Sequence, residues 1–388
     1  MTPPTRQPGI CFVSSYKPRP CGIANFSRSI IRDLSQPDTV KIVAISEAAD
    51  RYKYGKEVIA EIVQDDPETY VAAANAINAD KSINVVSLQH VFSLFGGQHG
   101  ENIISFLKTV KKPVITTLHI VYPNNQTPNK LEVVDIGYSA ITERIVRYST
   151  RVAVIIPMMA DLLMEQYNLP SEKIEIIPHG SPIIKRHDPN VYKKKLGLGN
   201  GPIISSFGLI REKKGLEYAV RAMPQILEKY PKARLLILGE NHPNRPNAYY
   251  QKLEKEADKL GLYNRSIFFR DQYLSFREII EYLLATDVFI TPYLVPEQTS
   301  SGAIAYAMGC GKAIISTPFA YAEEVLSNKR GLFINYRSRK SIFKAVDFLF
   351  SHPDKRERME KRAYEYAKNN SFKVAAARYQ DVFEEIAK

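Results

Sequence analysis

Short runs of β-branched and other apolar residues alternate with amphipathic stretches along almost the whole chain, the signature of strand–helix–strand units and parallel sheets. In the first half, the runs predicted to be strands are Ile10 to Ser15, Val40 to Ser46, Ile83 to Leu88, Val114 to Leu118, Val152 to Ile156 and Ile174 to Ile177. After the first of them, Ile23, Phe26, Ile30, Ile31 and Leu34 recur at three- and four-residue steps, the period of a helix with one buried face. A second set comprises Ile203 to Phe207, Leu235 to Leu238, Ile267 to Phe269, Val288 to Thr291, Ala313 to Ser316 and Leu332 to Ile334. Two such sets predict two doubly wound α/β domains rather than one large sheet. The rhythm breaks between Pro178 and Asn200, a stretch rich in Pro, His, Lys and Gly, which places the join there. From Pro353 to the end the pattern reads as helix throughout. No repeat and no low-complexity tract interrupts the chain.

Composition agrees with this division. At 388 residues the chain is too long for one ordinary core. Hydrophobic residues at 45% and charged residues at 24% are the balance of a soluble globular protein. Cys11, Cys21 and Cys310 have neither metal-ligand spacing nor the look of a disulfide framework, so a reducing cytoplasm is expected. The first residues carry no apolar signal core, and no run approaches the ~18–20 apolar residues of a membrane span, so neither export nor spanning is expected. The net charge of +12 fits nucleic acid, an anionic membrane surface or a phosphorylated substrate, and equally fits solvated helix faces. No nucleic-acid-binding module is recognisable, and no nucleic-acid partner is expected.

The candidate chemistry sits where strands give way to loops. The first strand runs into Ser14-Ser15-Tyr16-Lys17-Pro18-Arg19-Pro20-Cys21-Gly22 and then a helix. Such a loop aims backbone N–H groups and a helix dipole at the carboxyl edge of a sheet, where α/β folds bind anions. It is not a dinucleotide fingerprint, and an ordinary strand–helix turn reads the same way. The segment Leu88-Gln89-His90-Val91-Phe92-Ser93-Leu94-Phe95-Gly96-Gly97-Gln98-His99-Gly100 is read as exposing its two histidines. Its glycines and aromatics suit a loop closing over a polar ligand, or alternatively a packed loop with Phe92 and Phe95 in a core. His119 ends a predicted strand, a position that suits hydrogen bonds to sugar hydroxyls or phosphate, although a lone histidine equally serves as a structural residue. In the second half, Phe207-Gly208-Leu209-Ile210-Arg211-Glu212-Lys213-Lys214-Gly215 precedes a helix from Leu216 to Lys229. Cations beside a helix N-terminus suit a diphosphate, and a solvated basic turn reads the same way. The segment from Tyr293 through Glu297, Gln298, Thr299, Ser300, Ser301 and Gly302 runs into a helix predicted from Ala303 to Cys310, and it offers several donors to a phosphate. A further strand leads to Thr317 and on to Glu323 and Glu324.

Taken in order, these segments resemble the family-4 retaining glycosyltransferases of the GT-B fold. The matching residues are Gly208 with Lys214-Gly215, then Asp287-Val-Phe289-Ile-Thr-Pro292, then Tyr306-Ala307-Met308-Gly309-Cys310-Gly311-Lys-Ala-Ile314, and Ile177-Pro178-His179-Gly180. The resemblance implies an α/β chain of two Rossmann-like domains with parallel sheets facing across a cleft that holds the active site. It divides the chain into an acceptor-binding domain (1–183), a nucleotide-sugar-binding domain (184–370) and a C-terminal helix (371–388) crossing back to the first domain. Two departures stand out. The family's two glutamates fall at Gln298 and Tyr306, with Glu297 one residue before the first, and the expected arginine after Gly208 is Leu209, leaving Arg211 to supply that charge.

For an active member the resemblance implies a hexosyltransferase working with retention of configuration, with no metal and no cofactor beyond the nucleoside-diphosphate sugar. Lys214 and Arg211, the N–H groups of Ser300, Ser301 and Gly302, and the Gly22 loop would neutralise the leaving diphosphate. Tyr306 and Glu324 would lie on the nucleotide side. His119 with Gln298 or Glu297 would contact the donor sugar, mannose or glucose. Gln89, His90, Gly96 and Gly97 would form an acceptor loop. The acceptor would be a glycan, a glycolipid or a small molecule, and the enzyme cytoplasmic or peripheral at the inner face of an anionic membrane. The competing reading is a non-catalytic or altered-specificity protein binding sugar nucleotides or polyanions. A phosphorylase-like enzyme of similar architecture lacks its pyridoxal-lysine context here.

Overall fold

A computed structural model describes residues 7–49, 51–124, 136–240 and 248–388. Most of the amino-terminal stretch read for an export signal lies outside them. Two compact units result, one formed by Met1–Gly180 with Phe372–Lys388, the other by Ser181–Ser371.

The first unit contains, in order, β1 (Ile10–Ser14), α1 (Gly22–Arg32), β2 (Lys41–Ser46), β3 (Val58–Val63), α2 (Pro67–Ala79), β4 (Val85–His90), α3 (Ile103–Thr109), β5 (Val114–Leu118), α4 (Ile136–Tyr148), β6 (Arg151–Val154), α5 (Pro157–Tyr167) and β7 (Ile174–Ile176). The seven strands pair in the order β3-β2-β1-β4-β5-β6-β7, and all pairs are parallel. Chain order reverses direction between β1 and β4, the switch point outside which doubly wound sheets bind ligands. Strand β3 was not anticipated. It is an edge strand with Glu61 in its middle and only Ile62 buried, so the apolar run that marks a central strand is missing. Strand β4 begins and ends two residues later than the pattern predicts, which moves Gln89 and His90 from the loop into the sheet.

The second unit contains α6 (Pro189–Lys195), β8 (Ile203–Phe207), α7 (Leu216–Lys229), β9 (Arg234–Leu238), α8 (Ala248–Lys259), β10 (Ile267–Arg270), α9 (Phe276–Ala285), β11 (Val288–Thr291), α10 (Gly302–Gly309), β12 (Ala313–Ser316), α11 (Ala320–Leu326), β13 (Leu332–Phe333), α12 (Arg339–Ser351) and α13 (Pro353–Asn369). Its six parallel strands repeat the same order, β10-β9-β8-β11-β12-β13, with the switch between β8 and β11. Val220, Met223 and Ile226 of α7 pack with Leu253 of α8 and Val346 and Leu349 of α12 in a core against the sheet.

The final helical stretch is not continuous. It breaks at Asn370–Ser371, and the last helix, α14 (Phe372–Ile386), belongs to the first unit. There Phe383 meets Phe12 of β1 edge to face at 6.1 Å, Phe372 lies 6.4 Å from Phe26, and Tyr379 is fully buried. Arg378 donates to the Ile176 carbonyl at 2.9 Å, and Arg151 pairs with Glu385. A helical period cannot signal such a break, because both halves keep an apolar face while packing on different cores.

The amino ends of the second sheet are tied by buried charges. Lys193 Nζ meets Asp287 Oδ2 at 2.6 Å, and the same oxygen accepts from the Ile203 N–H at 2.7 Å. Lys312 is buried and donates to the Leu284 and Thr286 carbonyls, completing the C-terminal end of α9. Removing the carboxylate would strand the Lys193 ammonium away from water. Asp287→Ala should therefore cost about 3–5 kcal/mol, read as a lowered urea midpoint of the second unit's unfolding transition. A midpoint within error of wild type would show that the pair is not buried in solution.

Candidate functional site

In the second unit, β8 ends at Phe207 and the chain turns through Gly208 at φ +126, whose N–H donates to the Leu238 carbonyl. A Cβ on Gly208 would meet nothing within 4 Å, while one on Gly239 would lie 2.1 Å from the Gly208 oxygen, so glycine keeps this strand edge open and tight at once. Residues 212–214 form one turn of 3-10 helix, with the Lys214 N–H on the Arg211 carbonyl at 2.9 Å. Gly215 then enters α7 at φ +61, against the Pro292 carbonyl, and the Leu294 N–H donates to the Lys213 carbonyl at 2.8 Å. These bonds clamp the basic turn to the segment leaving β11. The Lys214 ammonium sits 3.6 Å from the centroid of the Tyr293 ring, which is buried and stacked on Phe319 at 5.1 Å. An aromatic face holds a cation in place without cancelling its charge. Arg211 is exposed beside it, and Leu209 presents its side chain to solvent.

The same segment continues to α10. Ser301 caps that helix, accepting the Ile304 N–H at 3.3 Å, and the helix begins at Gly302, one residue before the predicted start. The first-turn N–H groups of Gly302 and Ala303 have no partner within the helix. Gln298 turns inward, its amide nitrogen on the Ser300 carbonyl at 2.8 Å, whereas Glu297 is exposed. The N–H groups of Ala320 and Tyr321 hold this loop through the Pro296 and Gln298 carbonyls. Tyr306 packs between Phe207 at 6.1 Å and Phe276 at 5.8 Å and is nearly buried. Glu324 lies with Arg330, which donates to its carbonyl and covers the Tyr366 ring. Burial pushes the Tyr336 phenol up to about 12, reinforced by Glu323 and Glu297. The structure thus ties Lys214 and its turn, through Tyr293 and the Leu294 N–H, to the segment that continues through Gln298 to the start of α10, and sets Tyr306 against Phe207, the residue before Gly208. Tyr293, the platform under Lys214, was not singled out as a site residue, since a tyrosine after a strand reads equally as core.

In the first unit, Gly22 opens α1 at the carboxyl edge of the sheet and is exposed, with space around its Cα. Arg19 braces the preceding loop through the Ile45 carbonyl at 2.7 Å and Glu47 at 3.1 Å. His119 follows β5, is 2% exposed, and shares a 3.0 Å hydrogen bond between Nε2 and Gln89 Oε1. Its ring stands edge-on to Phe26 at 4.8 Å. Burial pushes its pKa down to about 3, helped by His179 and His90, so the ring is neutral at physiological pH.

The segment after β4 differs from its expected openness. His90 is fully buried, stacked on Phe95 and edge-on to Phe92, and neither ring nitrogen has a hydrogen-bond partner. Phe92, Leu94 and Phe95 are buried as well, the Gly96 N–H donates to the Tyr70 hydroxyl at 3.0 Å, and a Cβ at Gly96 would lie 1.9 Å from the Gln64 carbonyl. Ser93, Gly97 and Gln98 reach the surface, with Val91 and His99 partly covered, and the Glu101 carboxylate holds the turn by accepting the Gln98 and His99 N–H groups. The reason is that β4 is a central strand, so Gln89 and His90 face helices on opposite sides of the sheet rather than water. Among the described residues, no group of three or more His, Cys, Asp or Glu side chains is placed to hold a metal, and no helix is long and apolar enough to cross a membrane.

The sequence profile of the family described as Glycosyl transferases group 1 matches residues 189–366, nearly the whole second unit. The second unit is a group 1 glycosyltransferase domain. Over nearly the full chain the fold is that of solved GT-B glycosyltransferases. The sucrose-phosphate synthase of Thermosynechococcus elongatus is similar with a TM-score of 0.79 at 17% identity, covering 98% of this chain and 99% of that one. HepE of Anabaena, solved with UDP, is similar at 0.75 and 13%, covering 97% and 100%. Among curated relatives, a GDP-mannose-dependent phosphatidylinositol monomannoside mannosyltransferase of Mycolicibacterium smegmatis is 25% identical over 194 residues, 47% of this chain and 49% of that protein. An uncharacterized glycosyltransferase of Methanocaldococcus jannaschii is 26% identical over 221 residues, 55% and 50%. The chain spans about half the length of the curated relatives it matches.

Both buried histidines, His90 and His119, stay neutral down to about pH 3, whereas an unfolded histidine titrates near 6.5. Between those values the unfolded chain takes up protons that the folded chain refuses. Their contribution is complete above about pH 6.5 and is lost as the pH falls toward 3, at up to about 1.4 kcal/mol per pH unit for each ring. The urea midpoint should accordingly fall between pH 6.5 and 4.5, with a shallower slope in His90→Leu. A variant slope equal to wild type would place His90 in contact with water.

Proposed function

We propose that this chain is a retaining glycosyltransferase that moves a hexose from a nucleoside-diphosphate sugar to a glycan, a glycolipid or a small-molecule acceptor. The observation that carries the reading is Lys214 held over Tyr293 in a turn bonded to the loop that starts α10. Charge that develops on the departing diphosphate is the main barrier to glycosyl transfer, and cations and N–H groups fixed in advance lower it. Lys214, with Arg211 and the N–H groups from Ser300 to Gly302, meets that charge, and the Gly22 loop adds a second helix start. His119, neutral and anchored, contacts the transferred sugar, and Gln298 or Glu297 holds its hydroxyls. The protein groups, rather than a metal, balance the diphosphate, and its released oxygen accepts the acceptor's proton, giving retention. Mannose or glucose is the preferred sugar, supported by a GDP-mannose-dependent relative and a structural neighbour solved with UDP. The lipid-linked acceptor named for that relative makes peripheral contact with an anionic membrane from the cytoplasmic side part of the same reading.

A non-catalytic sugar-nucleotide-binding protein is the second reading. What favours it is Tyr306, an aromatic ring packed against Phe207 where the resembled family carries a carboxylate.

A ligand selective for the folded state raises its melting temperature, so UDP and GDP should each be tested by thermal shift. One of them should stabilise the protein, and Lys214→Ala should weaken that binding by about tenfold or more, the loss of a charge-assisted contact to phosphate. A shift identical in wild type and variant would remove Lys214 from the site. Turnover of UDP- or GDP-hexose separates the two readings, since the second predicts binding without transfer.

A further inference from the structure

The carboxyl edge of the first sheet is wired to the C-terminal helix. The Gln89 amide oxygen faces His119 Nε2 at 3.0 Å, and its amide nitrogen faces two hydroxyls, Ser87 Oγ at 3.1 Å and Thr117 Oγ1 at 3.3 Å. Thr117 Oγ1 in turn lies 2.7 Å from the Tyr379 hydroxyl of α14. Every member of this chain is buried, so no water competes for the bonds and each donor needs its acceptor. We propose that Gln89 and Tyr379 are positioning residues, and that the last helix, acting through Thr117 and Gln89, fixes His119 as the tautomer protonated on Nε2.

The logic follows from donor and acceptor inventories. A primary amide has two donors on nitrogen, and here two hydroxyl oxygens receive them, leaving the amide oxygen to accept from the imidazole. That arrangement holds only while Thr117 Oγ1 acts as an acceptor toward Gln89. A phenol is the stronger donor of the Tyr379–Thr117 pair, and its proton occupies one lone pair of Thr117 Oγ1 while the amide nitrogen takes the other. Without the phenol, Thr117 becomes free to donate to the amide, the amide can turn over, and its nitrogen would then face Nε2 and demand a lone pair there. The proton would move to Nδ1. A neutral ring offers a donor on one edge and an acceptor on the other, so the tautomer decides which way it can bind a sugar hydroxyl. The effect on turnover rests on the assignment of His119 to the transferred sugar; the effect on the tautomer does not.

The test uses the full chain labelled with 15N in histidine. Long-range 1H–15N correlations report which ring nitrogen carries the proton, and the His119 signals are assigned with His119→Ala. Wild type should show His119 protonated on Nε2 alone. Gln89→Met, which keeps the side chain's length and removes its bonds, should abolish that preference. Tyr379→Phe, which keeps the packing, should give a mixture of tautomers and lower kcat by roughly fivefold, the worth of one neutral hydrogen bond, with the donor KM little changed. Should Gln89→Met not fold, Tyr379→Phe carries the test from the far end of the chain of bonds. Wild-type His119 protonated on Nδ1, or a folded Tyr379→Phe with an unaltered tautomer, would overturn the proposal. If His119→Ala transfers sugar as fast as wild type, the assignment of His119 to the donor sugar is lost, while the histidine spectra still decide the tautomer.

Discussion

A parallel sheet covered by helices on both faces has no wet side, and the placement of chemistry in this protein descends from that constraint. Every residue of β1, β4 and β5 is buried, and so is every residue of β11 and β12. Polar groups that must meet a ligand are therefore confined to the strand ends, and the reversal of strand order at β1/β4 and at β8/β11 opens a crevice at one place on each sheet. Gly22 and His119 stand at the carboxyl edge of the first sheet, and Gly208 and the loop after Tyr293 at that of the second.

The two edges of the second sheet treat charge in opposite ways. At the amino edge a cavity of about 440 Å³ is lined by Arg186, Asp287, Lys312, Arg356 and Glu360 among others. Those charges serve the protein itself: Lys193 meets Asp287, Arg186 meets Glu360, and Lys312 is spent on carbonyl groups of α9 and its end. At the carboxyl edge, Lys214 rests on the face of Tyr293 instead. A ring quadrupole steadies an ammonium while leaving its full charge for an incoming anion, which a carboxylate partner would not.

The first unit works by neutrality. Burial suppresses ionisation of His90 and His119, and Phe26 packs against both His119 and His179. With charge removed, orientation depends on packing and on hydrogen bonds, and one chain of bonds from His119 passes through β4 and β5 into α14. The final helix thus contributes to the core through Phe372 and Phe383 and to the polar edge through Tyr379.

The alternation of apolar runs and amphipathic stretches was sufficient to determine the α/β class and the two sheets, because parallel strands buried on both faces need continuous β-branched segments and leave them visible in one dimension; the family likeness came from the ordered motifs at the strand ends. Residue types at the strand ends located the basic turn at Lys214, and the helix start after the serines to within one residue of Gly302. Periodicity did not reveal β3, whose edge position leaves it half wet and charged, and the break that sends α14 to a different core from α13 was implied by the family likeness alone. The local pattern misread His90 as exposed, since a loop and a strand end look alike until neighbouring strands cover them. Tyr293 beneath Lys214, and Tyr379 linked to His119 across more than two hundred and fifty positions of sequence, were decided by tertiary structure alone. Which ring lies under which cation, and which hydroxyl reaches which amide, depends on packing between segments distant along the chain, and local periodicity holds no record of it.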